Sequence, residues 1–160
     1  MSAAALGKPL AEREITITRV FDAPRALVFQ AWTDPAMLAQ WWGPRGFTNP
    51  VCEIDARAGG AIRIHMRAPD DAIYPMDGEI REIVPPERLV FTNNALDGNG
   101  NHVTEGFTTV TFAEEAGRIT LTLHTRGAAV VEFAVKYLQG MEYGWTQSID
   151  KLQALLASCN

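Results

Sequence analysis

Glu105 and Glu142 are the acids that fall closest to elements able to enclose an interior space. Burial penalises a carboxylate's charge, so its pKa rises toward neutrality and it can serve as a general base. His65, His102 and His124 are the other groups suited to proton transfer, but they are too scattered for a metal site. His65 and His124 fall on strand faces opposite the apolar ones, which predicts solvent. His102 lies in a loop, where it can fringe an entrance. Glu114-Glu115 and Asp70-Asp71 read as turn acids. Cys52 and Cys159 are far apart without metal spacing and are expected as two reduced thiols. There is no serine elbow, phosphate loop, zinc spacing or paired catalytic carboxylate. These groups assign no catalytic residue, no metal and no cofactor.

A second set is suited to binding. Met66, Met76 and Met141, with Tyr74, Phe91 and Trp145, would make an adaptable, aromatic-rich lining. Methionine fills irregular space and tolerates varied apolar contacts. Trp41 and Trp42 are adjacent, so at a helix end they point about 100° apart. One can enter the core while the other covers a cavity mouth. Phe47 and Ile64 complete the candidate ligand-binding set. The same stripes also suit plain core packing.

The elements that must position these residues follow from hydrophobic period. From Ala128 to Ser158, apolar residues Ala134, Leu138, Met141, Trp145, Ile149, Leu152 and Leu156 recur at steps of three and four. No proline follows Arg126, so the spacing predicts one helix of about 25 residues, about 38 Å long. Gly140 and Gly144 sit four apart inside it. Close helix–sheet packing, room for a ligand, or a homodimer contact would each explain them.

Upstream, Glu14 to Phe21 alternates as a first strand. Asp22 can cap a helix starting at Pro24, and Thr33-Asp34-Pro35 restarts a second short helix over Ala36 to Trp41. Trp42-Gly43-Pro44-Arg45-Gly46 is a turn. Strands are expected at Val51 to Asp55, Ala61 to Arg67, Ile73 to Val84, Arg88 to Asn93, Thr104 to Ala113 and Arg118 to Arg126. Gly78 would bend the long fourth one. Short links between strands favour an antiparallel meander, so the class is α+β. A curved sheet and a straight helix diverge at their ends, which leaves a gap of the kind small molecules fill.

The chain has 160 residues, 47% of them hydrophobic, which suits one domain with a sizeable core. Residues 13–158 are expected to form it, with 1–12 a loose tail unlike a signal peptide. Net charge is −5 and there is no basic stripe, which argues against nucleic acid and an anionic membrane surface as partners. No apolar run approaches the ~18 residues that span a bilayer. A cytoplasmic protein is the expectation.

Several motifs then stand in a specific order. They are Ala31-Trp32-Thr33-Asp34-Pro35, Trp41-Trp42-Gly43-Pro44, Gly59-Gly60 followed by Met66-Arg67-Ala68-Pro69-Asp70, Tyr74-Pro75, and Pro85-Pro86-Glu87-Arg88-Leu89-Val90-Phe91-Thr92. Together they resemble the family named after the activator of the heat-shock protein 90 ATPase, within the START-like (SRPBCC) superfamily, over about Ile15 to Leu156. The placement of Trp145 is similar too. The resemblance implies a helix-grip fold, in which a curved antiparallel sheet of about six to seven strands wraps a long C-terminal helix. Two short helices follow the first strand, and a deep cavity lies between sheet and helix. It implies a small apolar ligand as the partner. A chaperone-modulating interaction protein and an enzyme of cyclase or hydrolase type are the alternatives.

Overall fold

The structure is a computed structural model that describes residues 9–159. Residues 1–8 of the expected tail lie outside the described residues. Strand β1 runs from Ala11 to Phe21, three residues earlier than its alternation suggested, because Ala11 already pairs with Ala129. Helix α1 (Arg25–Thr33) and helix α2 (Pro35–Trp41) follow. Pro24, not Asp22, holds the cap position of α1, and no side chain caps that helix. Asp34 does cap α2, its Oδ1 accepting from the Ala36 amide at 3.0 Å, with Pro35 in the first turn.

Six further strands are β2 (Thr48–Ile54), β3 (Ala61–Arg67), β4 (Ile73–Val84), β5 (Arg88–Leu96), β6 (His102–Glu115) and β7 (Arg118–Ala129). With β1 they form one antiparallel sheet in the order β1-β7-β6-β5-β4-β3-β2. β5, β6 and β7 are longer than their apolar alternation predicted. Their extra residues, such as Asn94, His102 and Ala128, pair across neighbouring strands, with Glu105, Leu96 and Glu105 respectively. The ladder of backbone hydrogen bonds therefore continues where the hydrophobic pattern fades. The irregularity in β4 is a register shift between Ile80 and Glu82 in its pairing with β5, not at Gly78. Gly78 serves another purpose, since a Cβ there would sit 2.0 Å from the Thr92 carbonyl oxygen.

The C-terminal helix is not continuous. β7 takes residues up to Ala129, a single 3₁₀ turn covers Glu132–Ala134, and α3 (Val135–Gln139) is separated from α4 (Met141–Ser158) at Gly140. Arg13 of β1 accounts for the break. Its guanidinium donates to the Leu138 and Gln139 carbonyls at 2.9 and 3.0 Å, which competes with the next helical turn for those acceptors. Glycine at 140 then removes the propensity that would resist it.

The apolar stripe read along this segment is the face that packs on the sheet. Ala134, Leu138, Ile149, Leu152 and Leu156 are buried, while Met141 and Trp145 in the same stripe are only half-buried. The interior divides accordingly. A large cluster surrounds Trp32, whose ring centroid lies 4.5 Å from Trp41 and 6.3 Å from Phe112. A small one joins Val103, Ala129, Ala134 and Leu138. Among the described residues no helix is long and apolar enough to cross a membrane.

Candidate functional site

Between α3–α4 and the sheet lies a cavity of about 500 Å³. It borders both apolar clusters, since Trp42 and Met76 of the large one and Met141 beside the small one all line it. Its helix wall is built from two adjacent rows at four-residue spacing. One row is Lys136, Gly140 and Gly144, and the other is Tyr137, Met141 and Trp145. The glycines keep this wall thin. A Cβ at Gly140 would meet no atom nearer than 4.0 Å, and one at Gly144 none nearer than 3.8 Å. Close helix–sheet packing is thus not their role here; they border open space.

Trp42 and the turn after it form the end wall. Gly43 adopts φ +93°, and a Cβ on it would lie 2.8 Å from Met66 Sδ, so glycine is required for both conformation and space. The turn is tied to α4 by Lys151, whose ammonium donates to the Gly43 carbonyl at 3.1 Å. The Arg45 amide donates to Gln147 Oε1 at 3.1 Å, and the Arg45 guanidinium to Asp150 Oδ2 at 3.2 Å. Asp150 also accepts from Arg19 of β1 at 2.8 Å. That hydrogen bond, reinforced by the charges of Arg19 and Arg45, holds its carboxyl below the usual aspartate range. Burial, with the nearby Arg45 charge, pushes the Lys151 ammonium below the ordinary lysine value.

The sheet wall supplies Met66 and Tyr74, which are cross-strand partners, and Met76 opposite Ile64. Phe47 reaches the same wall with its ring 6.1 Å from Tyr74. Seven of the ten residues named from sequence therefore surround one space: Trp42, Phe47, Met66, Tyr74, Met76, Met141 and Trp145. The other three do not reach it. Trp41 is fully buried and donates its indole N–H to the Ala31 carbonyl at 2.8 Å. Ile64 and Phe91 lie in the large cluster, two residues along the same strand faces from Met66 and Asn93, where the core is closed. The adjacent tryptophans thus divide as their helix-end geometry suggested, with Trp42 at the cavity and Trp41 in the core.

The two carboxylates expected near the cavity both point elsewhere. Thr104 lines it, so Glu105 next to it projects from the other face of β6. There Glu105 Oε2 meets His102 Nδ1 at 2.6 Å, and His102 Nε2 lies 3.5 Å from Asp77. His102 opens strand β6 and does not sit in a loop. Glu142 is exposed in the first turn of α4 and pairs with Arg13 at 3.0 Å. His124 pairs with Glu14 on the outer face. Among the described residues, Lys136 is the one charged side chain lining the cavity.

Sequence reasoning missed the polar lining, Asn93 and Thr104 above all. Alternation outward from buried Phe91 would have placed Asn93 on the inner face. Lys136 was missed as well, although it stands four residues before Gly140 and in line with Gly144, the pair that the sequence had marked as leaving room for a ligand.

A family model described as "Activator of Hsp90 ATPase homolog 1-like protein" matches residues 22–157. The chain belongs to this family. Solved structures of similar shape agree with this fold. The AHSA1 protein of Silicibacter pomeroyi is 26% identical with a TM-score of 0.78, the match covering 92% of this chain and 100% of that one. A protein of Chromobacterium violaceum is 31% identical with a TM-score of 0.73, covering 89% and 96%. A protein of Nitrosomonas europaea, at 22% identity and a TM-score of 0.76, covers 91% and 94% and shares the fold. No curated protein matches the chain. The helix-grip α+β fold expected for this family is the one described above. The space between sheet and C-terminal helix in this chain is the one bounded by Trp42, Met141 and Trp145.

Proposed function

We propose that this cytosolic family member binds a small apolar or aromatic molecule in the cavity between the sheet and α3–α4. The observation that carries this reading is the interruption of the core. The stripe that is buried at Leu138, Ile149, Leu152 and Leu156 opens at Met141 and Trp145, directly over about 500 Å³ of space. Such a volume lies within the range of small-molecule sites. Methionines at three points of the wall let it adjust to the occupant. Burying about 200 Å² of apolar ligand surface at about 25 cal/mol per Å² contributes about 5 kcal/mol before the costs of association. By itself that corresponds to a dissociation constant of about 0.2 mM, which the costs of association weaken, so polar contacts must supply the rest.

Native mass spectrometry of protein purified from its own cytosol tests the reading. A stoichiometric adduct, absent from the cavity-filling Met141→Trp variant, is the expected result. An apo mass for the wild type, together with stimulation of a chaperone ATPase, would move the assignment to the interaction role carried by the family's name.

A further inference from the structure

A buried chain of hydrogen bonds ends at the cavity wall. Thr125 Oγ1 lies 2.8 Å from Thr108 Oγ1, and Thr108 Oγ1 lies 2.8 Å from Asn93 Oδ1. Both hydroxyls are essentially inaccessible to water. Asn93 lines the cavity, and among the described residues nothing accepts from its Nδ2.

Proton counting fixes which way the amide faces. With Asn93 Oδ1 toward Thr108, Thr125 donates to Thr108 and Thr108 donates to Asn93, so both hydroxyl protons have acceptors. With the amide reversed, Nδ2 donates to Thr108 and Thr108 donates to Thr125. The Thr125 proton is then buried without an acceptor, since Thr108 is the one partner of that hydroxyl among the described residues. The first arrangement is favoured, and it leaves the Asn93 NH₂ directed to the cavity. Gly106, the cross-strand partner of Asn93, makes room for it. A Cβ at Gly106 would stand 2.8 Å from Asn93 Nδ2. The donor is therefore held in place before any ligand arrives.

We propose that Asn93 is the orienting residue of the cavity and that the occupant is an aromatic or alicyclic molecule bearing a carbonyl-type acceptor oxygen, a ketone or a carboxylate, received by Asn93 Nδ2. No acid lines the cavity among the described residues to repel such an oxygen, and Lys136 supplies the lining's one charge, a positive one. This inference rests on the binding reading above and specifies the polar end of the ligand.

Three naphthalenes of similar shape test it: acetylnaphthalene, ethylnaphthalene and naphthylamine. Titration calorimetry of the wild type is expected to show the ketone binding at least about fivefold more tightly than the ethyl analogue. The side-chain NH₂ resonances of Asn93 should shift with the ketone and stay still with the hydrocarbon. Asn93→Asp keeps an acceptor for Thr108 and removes the donor, so the preference for the ketone should vanish while thermal stability shows that the variant is folded. Equal affinity for ketone and hydrocarbon would leave the binding reading standing and overturn the role of Asn93. Preference for naphthylamine would overturn the orientation of the amide. Failure of all three to bind would overturn both readings. The wild-type resonances decide the contact even if Asn93→Asp does not fold.

Discussion

Lys151 in α4 donates to the carbonyl of Gly43 at 3.1 Å, across 108 residues of sequence. One ammonium thereby ties the helix over the cavity to the turn that closes its end, and a second acceptor, the Pro44 carbonyl at 3.4 Å, completes the tie. The half-buried position of this charge has a pH signature. Its pKa is lowered by burial first and by the Arg45 charge second. A base whose folded pKa is depressed destabilises the fold in its charged form. The penalty is fully present below the folded pKa and disappears above the unfolded value of about 10.4. Urea denaturation between neutral pH and about pH 10.5 should show this group's contribution to stability rising with pH in the wild type. The rise should be missing from Lys151→Met, which also frees the turn.

Asp150 has the opposite logic. Its carboxyl is lowered by the hydrogen bond from Arg19, with help from Arg45. The stability it contributes is present above the unfolded aspartate value of about 3.9 and is lost as pH falls through the folded value below that. Asp150→Asn is expected to cost about 1 kcal/mol at neutral pH, a figure set by its partial exposure. Once pH falls below the folded value the variant and the wild type should converge in chemical denaturation.

The glycines around the cavity separate by conformation and space. Gly144→Ala places a methyl at ordinary contact from Pro44 in a helix interior, so stability should rise by about 0.5–1 kcal/mol. Gly43→Ala forces a residue into φ +93° against Met66 Sδ and should cost about 1–3 kcal/mol. Thermal melts of the two variants check both signs at once.

Alkylation distinguishes the thiols. Burial, then the neighbouring Glu53 charge, pushes the Cys52 thiol up to about 11, whereas Cys159 lies exposed near the end of α4. The thiolate is the reactive form, so iodoacetamide at about pH 8 should label Cys159 well before Cys52. Peptide mass spectrometry over time reads the order. Equal rates would mean that β2, which carries Cys52, opens readily at the sheet edge.

Much of the molecule was legible in residue order because its signals are local. Aspartate and proline at 34–35 start α2, alternation marks β1 and β3, and the three-four stripe from Ala134 to Leu156 marks the packed helix face. Each depends on neighbours within a turn or a strand, where side-chain direction follows from backbone period alone. The family motifs pointed to the same fold, and apolar residue type brought seven of the cavity's lining residues into view.

Only tertiary structure decided the rest. The break at Gly140 depends on Arg13, more than a hundred residues away, which takes two carbonyls from the helix. Glu105 and Glu142 left the cavity because their partners, His102 and Arg13, lie outside it. Ile64 and Phe91 are of the right type and on the right strand faces for a cavity wall, yet they sit where the core is closed. Asn93 and Thr104 carried no apolar signal, and although alternation puts Asn93 on the inner face, that this part of the face borders open space was decided by the helix opposite it. A sequence specifies which side chains share a face. Which of those faces meets another closely, and which stands clear of it, is set by the curvature of seven paired strands against a helix, and that is a property of the assembled sheet.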